Sequence, residues 1–130
     1  MSRIHPIITT SALQECATFY ARAFDAQVMF RAEWYVHVSL DGWELGFLHP
    51  DPPQRMPVFQ HTTPTRGLCL ALEVEDVRAA AERLTARGIA LLGPLRSFAH
   101  GEVAFSVLDP AGVVLNIVER REPKTDLLTL

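Results

Sequence analysis

A histidine and a glutamate, His37 and Glu44, lie in two neighbouring stretches with the composition of β-strands, residues 35–40 (YVHVSL) and 43–48 (WELGFL). The turn 41–42 (DG) between them is the strongest short signal for a two-residue hairpin. Such a turn fixes the pairing register, so His37 and Glu44 are predicted to face the same side of the sheet. If partial burial raises its pKa, Glu44 is the candidate general base. The commoner alternative is a carboxylate that pairs with an arginine or accepts a hydrogen bond from a nearby serine.

The predicted hairpin has one polar and one apolar face, because side chains alternate along each strand. The polar face is either solvated or the lining of a cleft, and it contains Tyr35, His37, Ser39, Glu44 and Gly46. The apolar face is predicted to pack against helices, and it contains Val36, Val38, Leu40, Trp43, Leu45 and Phe47.

This hairpin completes a first half of the chain with the element order β-α-β-β-β. Residues 4–9 (IHPIIT) predict a short strand. A helix follows, with apolar residues at helical spacing over 13–24; Ser11 is its predicted N-cap, and Gln14 completes a capping box. Residues 27–31 (QVMFR) predict the strand that precedes the hairpin.

The second half, residues 67–119, repeats this order. Residues 68–74 (LCLALEV) alternate with a period of two, which points Cys69 away from the core. A helix that Asp76 helps to open is predicted to end at Gly88, a C′ glycine. Three strands are then predicted, near 89–92, at 102–108 and at 113–119, with a turn at 109–112 (DPAG) before the last.

The sequence therefore predicts one α+β domain over residues 1–130, built from two βαβββ modules at 4–48 and 67–119. Residues 49–66 contain five prolines, which exclude a regular helix. This connecting loop is either a functional lid or crossover or a plain linker between modules. Residues 120–130 form a tail.

Composition and charge exclude several classes of function. The 130 residues carry a net charge of −3 and no basic run, which argues against a nucleic-acid partner. No apolar stretch approaches the about 20 residues of a membrane span, and no secretory leader is expected. Two cysteines, Cys16 and Cys69, are too few for a disulfide framework, so reduced thiols and a cytoplasmic location are expected. The motifs of nucleotide binding and serine nucleophiles are absent.

Three segments carry a resemblance to a known family. They are Leu13 with Phe19-Tyr20 in the first helix, 72–77 (LEVEDV) at the opening of the second half, and 109–112 (DPAG) before the last strand. In this order the chain resembles the vicinal oxygen chelate superfamily, the group of glyoxalase I, bleomycin-resistance proteins and extradiol dioxygenases, over about residues 4–119. The resemblance implies two modules whose mixed sheets curve around a central cleft, often in a homodimer.

The resemblance also implies where a metal ion would bind. The metal positions of the family fall on His5, Glu44, Cys69 and Asn116, where the family's enzymes have His, Glu or Gln, His and Glu. An amide at Asn116 is a poor ligand for a transition metal, and a thiol at Cys69 must lose its proton before it can bind one. No bound metal is therefore predicted as a cofactor. His37 is predicted to lie on the same face of the sheet as Glu44, so it is a possible replacement for a missing ligand.

Further candidates lie near the ends of strands. Trp34 and Tyr35 cluster where the third strand begins, and an amphipathic Trp34 suits a ligand or a dimer contact. Phe98, with Arg96 and His100, precedes the strand at 102–108, where a loop could overhang a pocket. The predicted cleft residues are His5, Trp34, Tyr35, His37, Glu44, Cys69, Phe98 and Asn116.

Two functions remain, beside the alternative that the chain is a dimeric domain whose pocket has no function. The first is non-catalytic binding of a small apolar or aromatic molecule, as the resemblance to bleomycin-resistance proteins implies. The second is a metal-dependent lyase or dioxygenase with an altered ligand set of His5, Glu44 and Cys69. The two missing ligands favour the first function.

Overall fold

The computed structural model describes residues 4–50, 68–98 and 101–120, and each half of the chain has the predicted order β-α-β-β-β. The first half contains β1 (Ile7–Thr9), α1 (Leu13–Phe24), β2 (Gln27–Arg31), β3 (Tyr35–Leu40) and β4 (Trp43–Leu48). The second half contains β5 (Cys69–Glu73), α2 (Val77–Ala86), β6 (Arg96–Ser97), β7 (Glu102–Leu108) and β8 (Val114–Arg120). Most of the predicted connecting loop and the predicted tail, like His100, lie outside the described residues.

Each half forms a four-stranded mixed sheet. The strand order is β1-β4-β3-β2 in the first sheet and β5-β8-β7-β6 in the second. β1 runs parallel to β4 and β5 runs parallel to β8, and the other neighbours are antiparallel. The α+β prediction of two βαβββ modules is thereby confirmed. The described residues up to 50, together with the turn 109–112, form one compact unit, and residues 68–108 with 113–120 form a second.

The register of the first hairpin agrees with the prediction. The pairs across β3 and β4 are Leu40 with Trp43, Ser39 with Glu44 and His37 with Gly46. The turn residues Asp41 and Gly42 both have positive φ, at 43° and 89°, as a type I′ turn requires. This turn matches the right-handed twist of the strands and therefore fixes which side chains share a face.

The apolar face of the hairpin forms part of the core of the first unit. Val36, Val38 and Phe47 are fully buried, and α1 contributes a stripe of buried residues at helical spacing. Trp43 was expected on this packed face, but 39% of it is exposed. It is the first residue of β4, at the turn end of the sheet, where the hairpin itself leaves its large indole uncovered.

A buried polar cluster lies between α1 and the turn 109–112. The Tyr20 hydroxyl donates to Asp109 Oδ2 at 2.7 Å, and the Ala111 amide donates to Asp109 Oδ1 at 2.8 Å. Burial, reinforced by the charge of Asp109, raises the pKa of Tyr20 above its ordinary value and raises that of the buried Cys16 thiol to about 12. Both groups therefore stay neutral, and the carboxylate of Asp109 keeps its hydrogen-bond donors.

Helix α2 begins and ends much as its sequence predicts. Asp76 is the N-cap, and its carboxylate accepts a hydrogen bond from the Ala79 amide at 3.0 Å. Glu119 adds a second carboxylate, which accepts from the Val77 amide at 2.9 Å. Gly88 follows the helix with φ of 79°, in the left-handed region that a C′ glycine commonly adopts.

Three local predictions are wrong. Ser11 does not cap α1, because Ala12 is the N-cap and Thr10 Oγ1 accepts the Ala12 amide instead. The first strand begins at Ile7 rather than at residue 4, since Pro6 has no amide hydrogen to donate to a neighbouring strand. No strand forms at 89–92, where a single backbone bond joins the Leu92 amide to β7.

Candidate functional site

A row of aromatic rings follows the polar face of the first sheet. Phe30 lies 6.2 Å from Trp34 and 6.3 Å from Tyr35 between ring centroids, and Trp34 lies 5.6 Å from Tyr35. Tyr35 stacks on His37 at 5.8 Å, and His5 meets the edge of His37 at 5.0 Å. These are ordinary separations for interacting rings. We call these five residues, Phe30, Trp34, Tyr35, His37 and His5, the aromatic row.

Much of the aromatic row is accessible to solvent. Phe30 is 48% exposed and Trp34 is 42% exposed, whereas Tyr35 and His37 are half-buried. Exposed apolar rings that adjoin one another are unusual outside interaction sites, because each one leaves apolar area in water. The row therefore offers a contact surface for a planar apolar molecule.

A chain of hydrogen bonds anchors the middle of the row. The Tyr35 hydroxyl is 2.7 Å from His37 Nδ1, and His37 Nε2 is 2.5 Å from Glu44 Oε1. An ionised carboxylate only accepts, so His37 Nε2 carries a proton whenever Glu44 is ionised. With the imidazole neutral, Nδ1 is then the acceptor and the Tyr35 hydroxyl is the donor. Glu44 and Tyr35 thus hold the imidazole ring of His37 in one orientation.

The hydroxyl of Tyr35 stays protonated in this chain. Partial burial, with the nearby charge of Glu44 as a second cause, raises the pKa of Tyr35 above its ordinary value. Glu44 pairs with a histidine here, a partner that the sequence did not suggest. Its candidate role as a general base remains a prediction.

Gly46 makes room for the Tyr35 ring. A Cβ atom added at Gly46 would overlap the Tyr35 hydroxyl and the adjacent ring carbon. Gly46 lies directly opposite His37 in the β3–β4 register, and its amide donates to the Pro6 carbonyl. The glycine therefore lets the phenol lie flat across the sheet and reach His37.

Phe30 is a member of the row that the sequence analysis did not single out. A bulge in β2 between Val28 and Phe30 shifts the pairing, so that Phe30 pairs with His37. A regular strand would have paired Met29 with His37 and placed Phe30 on the opposite face. The sequence QVMFR contains no glycine to mark the bulge, so no local signal could have revealed this residue.

The remaining predicted site residues lie in the second unit. Cys69 begins the edge strand β5 and is exposed, and Phe98 is exposed just after β6. Asn116 lies on β8, where its Oδ1 accepts a hydrogen bond from the Ser106 hydroxyl at 3.2 Å. Ala71 pairs with Asn116 in the parallel ladder, so Cys69, two residues earlier, shares the sheet face of Asn116.

The residues at the family's metal positions do not fit a transition-metal site. In the first unit, Glu44 Oε1 is held by His37 Nε2. In the second unit, Asn116 offers a neutral amide oxygen, which is a weak ligand. Within residues 4–50, 68–98 and 101–120, no three His, Cys, Asp or Glu side chains form a group that could hold an ion.

Comparison with known proteins identifies the class to which this fold belongs. The family model described as Glyoxalase/Bleomycin resistance protein/Dioxygenase superfamily matches residues 3–117. The chain belongs to this superfamily, which confirms the resemblance seen in its sequence. No functionally curated protein matches the chain significantly. No helix in the described part of the chain is long and apolar enough to cross a membrane.

Several solved structures share the fold at low sequence identity. A lactoylglutathione lyase from Agrobacterium tumefaciens has a TM-score of 0.76 at 17% identity, over 91% of this chain and 92% of its own. A glyoxalase/bleomycin resistance protein/dioxygenase from Nocardioides has a TM-score of 0.73 at 19% identity, covering 94% and 87%. A bleomycin-binding protein complexed with bleomycin has a TM-score of 0.68 at 16% identity, covering 93% and 100%. At such identities the likeness establishes the fold alone.

Proposed function

We propose that this protein binds a small planar aromatic molecule against the aromatic row, without chemistry that depends on a metal ion. The observation that carries the proposal is the continuity of the row: partly exposed rings of Phe30 and Trp34 lead to the anchored rings of Tyr35 and His37. Aromatic faces bind planar ligands by offset stacking, and rings fixed in advance lose little conformational entropy when the ligand binds. That a protein of the same fold was solved with bleomycin supports small-molecule binding.

The polar groups of this face already form hydrogen bonds with each other, which also favours binding of an apolar ligand. Tyr35, His37 and Glu44 satisfy one another within the sheet, so a ligand need not replace their hydrogen bonds. Stacking on the exposed rings then removes apolar area from water without leaving a buried polar group unpaired. This arrangement favours retention of a ligand over its chemical activation.

Titration with quinoline, a planar bicyclic probe, tests the proposal. At about 0.3 kcal/mol per non-hydrogen atom, a molecule of this size is expected to bind in the millimolar range. We expect saturable ¹H–¹⁵N shifts at the amides of Trp34, Tyr35 and His37. The Trp34→Ala variant should weaken binding about tenfold, which corresponds to about 1.4 kcal/mol.

Trp43→Ala is the matched control for this experiment. Trp43 is the other tryptophan of the chain and has similar exposure, but it lies on the opposite face of the sheet. The Trp43→Ala variant should bind quinoline with an affinity within about twofold of that of the wild type. This difference is much smaller than the tenfold change that corresponds to about 1.4 kcal/mol. Equal losses in the two variants, or shifts that never saturate, would refute the proposal.

Metal content separates this function from the metal-dependent lyase or dioxygenase. Protein purified without a chelator is expected to hold clearly less than one transition-metal ion per chain. The reason is chemical, since His5 and Glu44 are two good ligands and the other two positions are a thiol and an amide. Elemental analysis is the measurement. One tightly bound ion per chain would favour the metal-dependent enzyme, with His5, Glu44 and Cys69 as its ligands, over non-catalytic binding.

The cellular compartment of the protein is part of the same proposal. Cys16 and Cys69 are both free thiols, and Cys69 is exposed. An exposed unpaired thiol suits a reducing compartment such as the cytoplasm. The homodimer remains a prediction of the family resemblance.

A further inference from the structure

The described residues of the second unit form a concave surface. It is a recess of about 340 Å³ between the chain that precedes β6 and strands β7 and β8. This volume is in the range of small-molecule sites. We call it the β6 recess, and its walls include Leu92, Pro94, Arg96, Phe98, Ser106 and Asn116.

The register of the second sheet places the polar members of the recess on one face. Arg96 pairs with Ala104, and Ser106 lies two residues further along β7. Ser106 in turn pairs with Asn116 on β8. Because alternate residues of a strand face the same side, the side chains of Arg96, Ser106 and Asn116 share one surface of the sheet.

The described residues of the recess include one charged side chain. Among these lining residues that side chain is Arg96, and none of the others is a carboxylate. Within the described residues the Arg96 guanidinium has no acidic partner, and this side chain is exposed. The Ser106 hydroxyl donates to Oδ1 of Asn116, a residue that lines the recess, and the amide nitrogen of Asn116 is a further hydrogen-bond donor.

The rim of the recess is apolar. Leu92 is 56% exposed and Phe98 is 46% exposed, on either side of Arg96 along the chain. Pro94 between them fixes its own backbone φ and has no amide hydrogen to donate. A cationic group flanked by exposed apolar side chains is complementary to a molecule with an anionic head and an apolar body.

We infer that the β6 recess binds a small molecule that bears a single carboxylate on an apolar or aromatic body. The planar guanidinium of Arg96 matches a carboxylate in bidentate geometry, and the Asn116 amide nitrogen supplies a further donor. Leu92 and Phe98 cover the apolar body. A single arginine balances a monoanion, whereas a phosphate dianion would keep an excess charge. The described residues that form this site belong to the second unit, and none of them belongs to the aromatic row.

Titrations of the full chain with benzoate and with benzyl alcohol, at constant ionic strength, test the inference. Benzoate has a carboxylate where benzyl alcohol has a neutral hydroxymethyl group. Benzoate is expected to give saturable ¹H–¹⁵N shifts at the amides of Arg96, Ala104, Ser106 and Asn116. Benzyl alcohol should bind there at least about tenfold more weakly. Shifts confined to Trp34, Tyr35 and His37 would locate binding on the aromatic row instead and overturn the inference, so the two sites are read separately.

Two variants identify the groups responsible. Arg96→Gln is expected to weaken benzoate binding at least about tenfold and to leave benzyl alcohol unchanged. Arg83→Gln, an exposed arginine in the last turn of α2, is the matched control and should leave both affinities unchanged. Asn116→Asp is nearly isosteric and keeps an acceptor for Ser106, but it adds a negative charge to the wall of the recess and should also weaken benzoate binding.

Three outcomes would overturn the inference. They are equal affinities for benzoate and benzyl alcohol, equal effects of Arg96→Gln and Arg83→Gln, and tighter binding of phenyl phosphate than of benzoate. The dispersion of each variant's spectrum shows that it is folded, so a loss of binding reports on the recess.

Discussion

Replacement of Asp109 with alanine is expected to lower the free energy of unfolding by about 2–4 kcal/mol. Asp109 is 3% exposed and accepts hydrogen bonds from the Tyr20 hydroxyl and from the Ala111 amide. The substitution leaves the Tyr20 hydroxyl, in a fully buried side chain, without this acceptor, and it removes the side chain that organises the turn. Urea denaturation followed by circular dichroism measures the change.

Conservative variants separate the hydrogen bonds from the packing. Asp109→Asn keeps an acceptor oxygen and should cost less than alanine. Tyr20→Phe removes one donor and should cost about 1–3 kcal/mol. Tyr35→Phe makes the same chemical change at a half-buried position and should cost less than Tyr20→Phe. If Asp109→Ala costs under about 0.5 kcal/mol, a typical surface value, the turn 109–112 does not depend on this cluster.

A methyl group at Gly46 is expected to weaken ligand binding at the aromatic row and to lower the stability of the fold moderately. In Gly46→Ala the new Cβ would overlap the Tyr35 hydroxyl, so the Tyr35 ring must move and release His37 Nδ1. We expect quinoline to bind at least about tenfold more weakly, a loss of 1.4 kcal/mol or more. The free energy of unfolding should fall by about 1–3 kcal/mol, as is typical of overpacking.

The Gly93→Ala variant controls for the change of residue type. A Cβ at Gly93 meets nothing within 4 Å, and Gly93 lies in the second unit. Its affinity for quinoline should match that of the wild type. The ¹⁵N shifts of His37 provide an independent readout, because loss of the Tyr35 hydrogen bond changes the environment of Nδ1. Unchanged quinoline affinity in Gly46→Ala, with altered His37 shifts, would show that the anchored tyrosine contributes nothing to binding.

The strand positions that hold a metal ion in the family's enzymes carry hydrogen-bonded side chains in this chain. His5 and Glu44 retain residue types that the family's enzymes use, but Glu44 is bonded to His37 within the sheet. Asn116 replaces a carboxylate, and its oxygen accepts from Ser106. In this chain the same strand positions support hydrogen-bond pairs, and we therefore favour binding over catalysis as its function.

Elements with strong local signals could be predicted from the sequence. The turn 41–42 fixed the β3–β4 register, because two residues with positive φ allow one tight geometry. Asp76 and Gly88 marked the ends of α2 because each meets a requirement of the helix backbone. These features depend on interactions between residues that are near in sequence, and they could therefore be predicted from the sequence.

Elements with competing local signals were less accurately predicted. Residues 89–92 alternate too little to specify a strand, and Gly93 and Pro94 interrupt the backbone before pairing resumes at Arg96–Ser97. Ser11 and Thr10 both offer a hydroxyl near the start of α1, and the Thr10 hydroxyl is the one that accepts the Ala12 amide. In both places a backbone amide, that of Thr10 or of Leu92, donates to a strand that is distant in sequence.

The candidate site combines both kinds of information. The sequence by itself determined that Tyr35, His37 and Glu44 share the polar face of one hairpin, because strand alternation and a two-residue turn leave one arrangement. Only the tertiary structure decided that Phe30 completes the row, since a bulge in β2 brings it opposite His37. Only the tertiary structure paired Glu44 with His37, because the identity of a carboxylate's partner depends on which side chains reach it across the sheet.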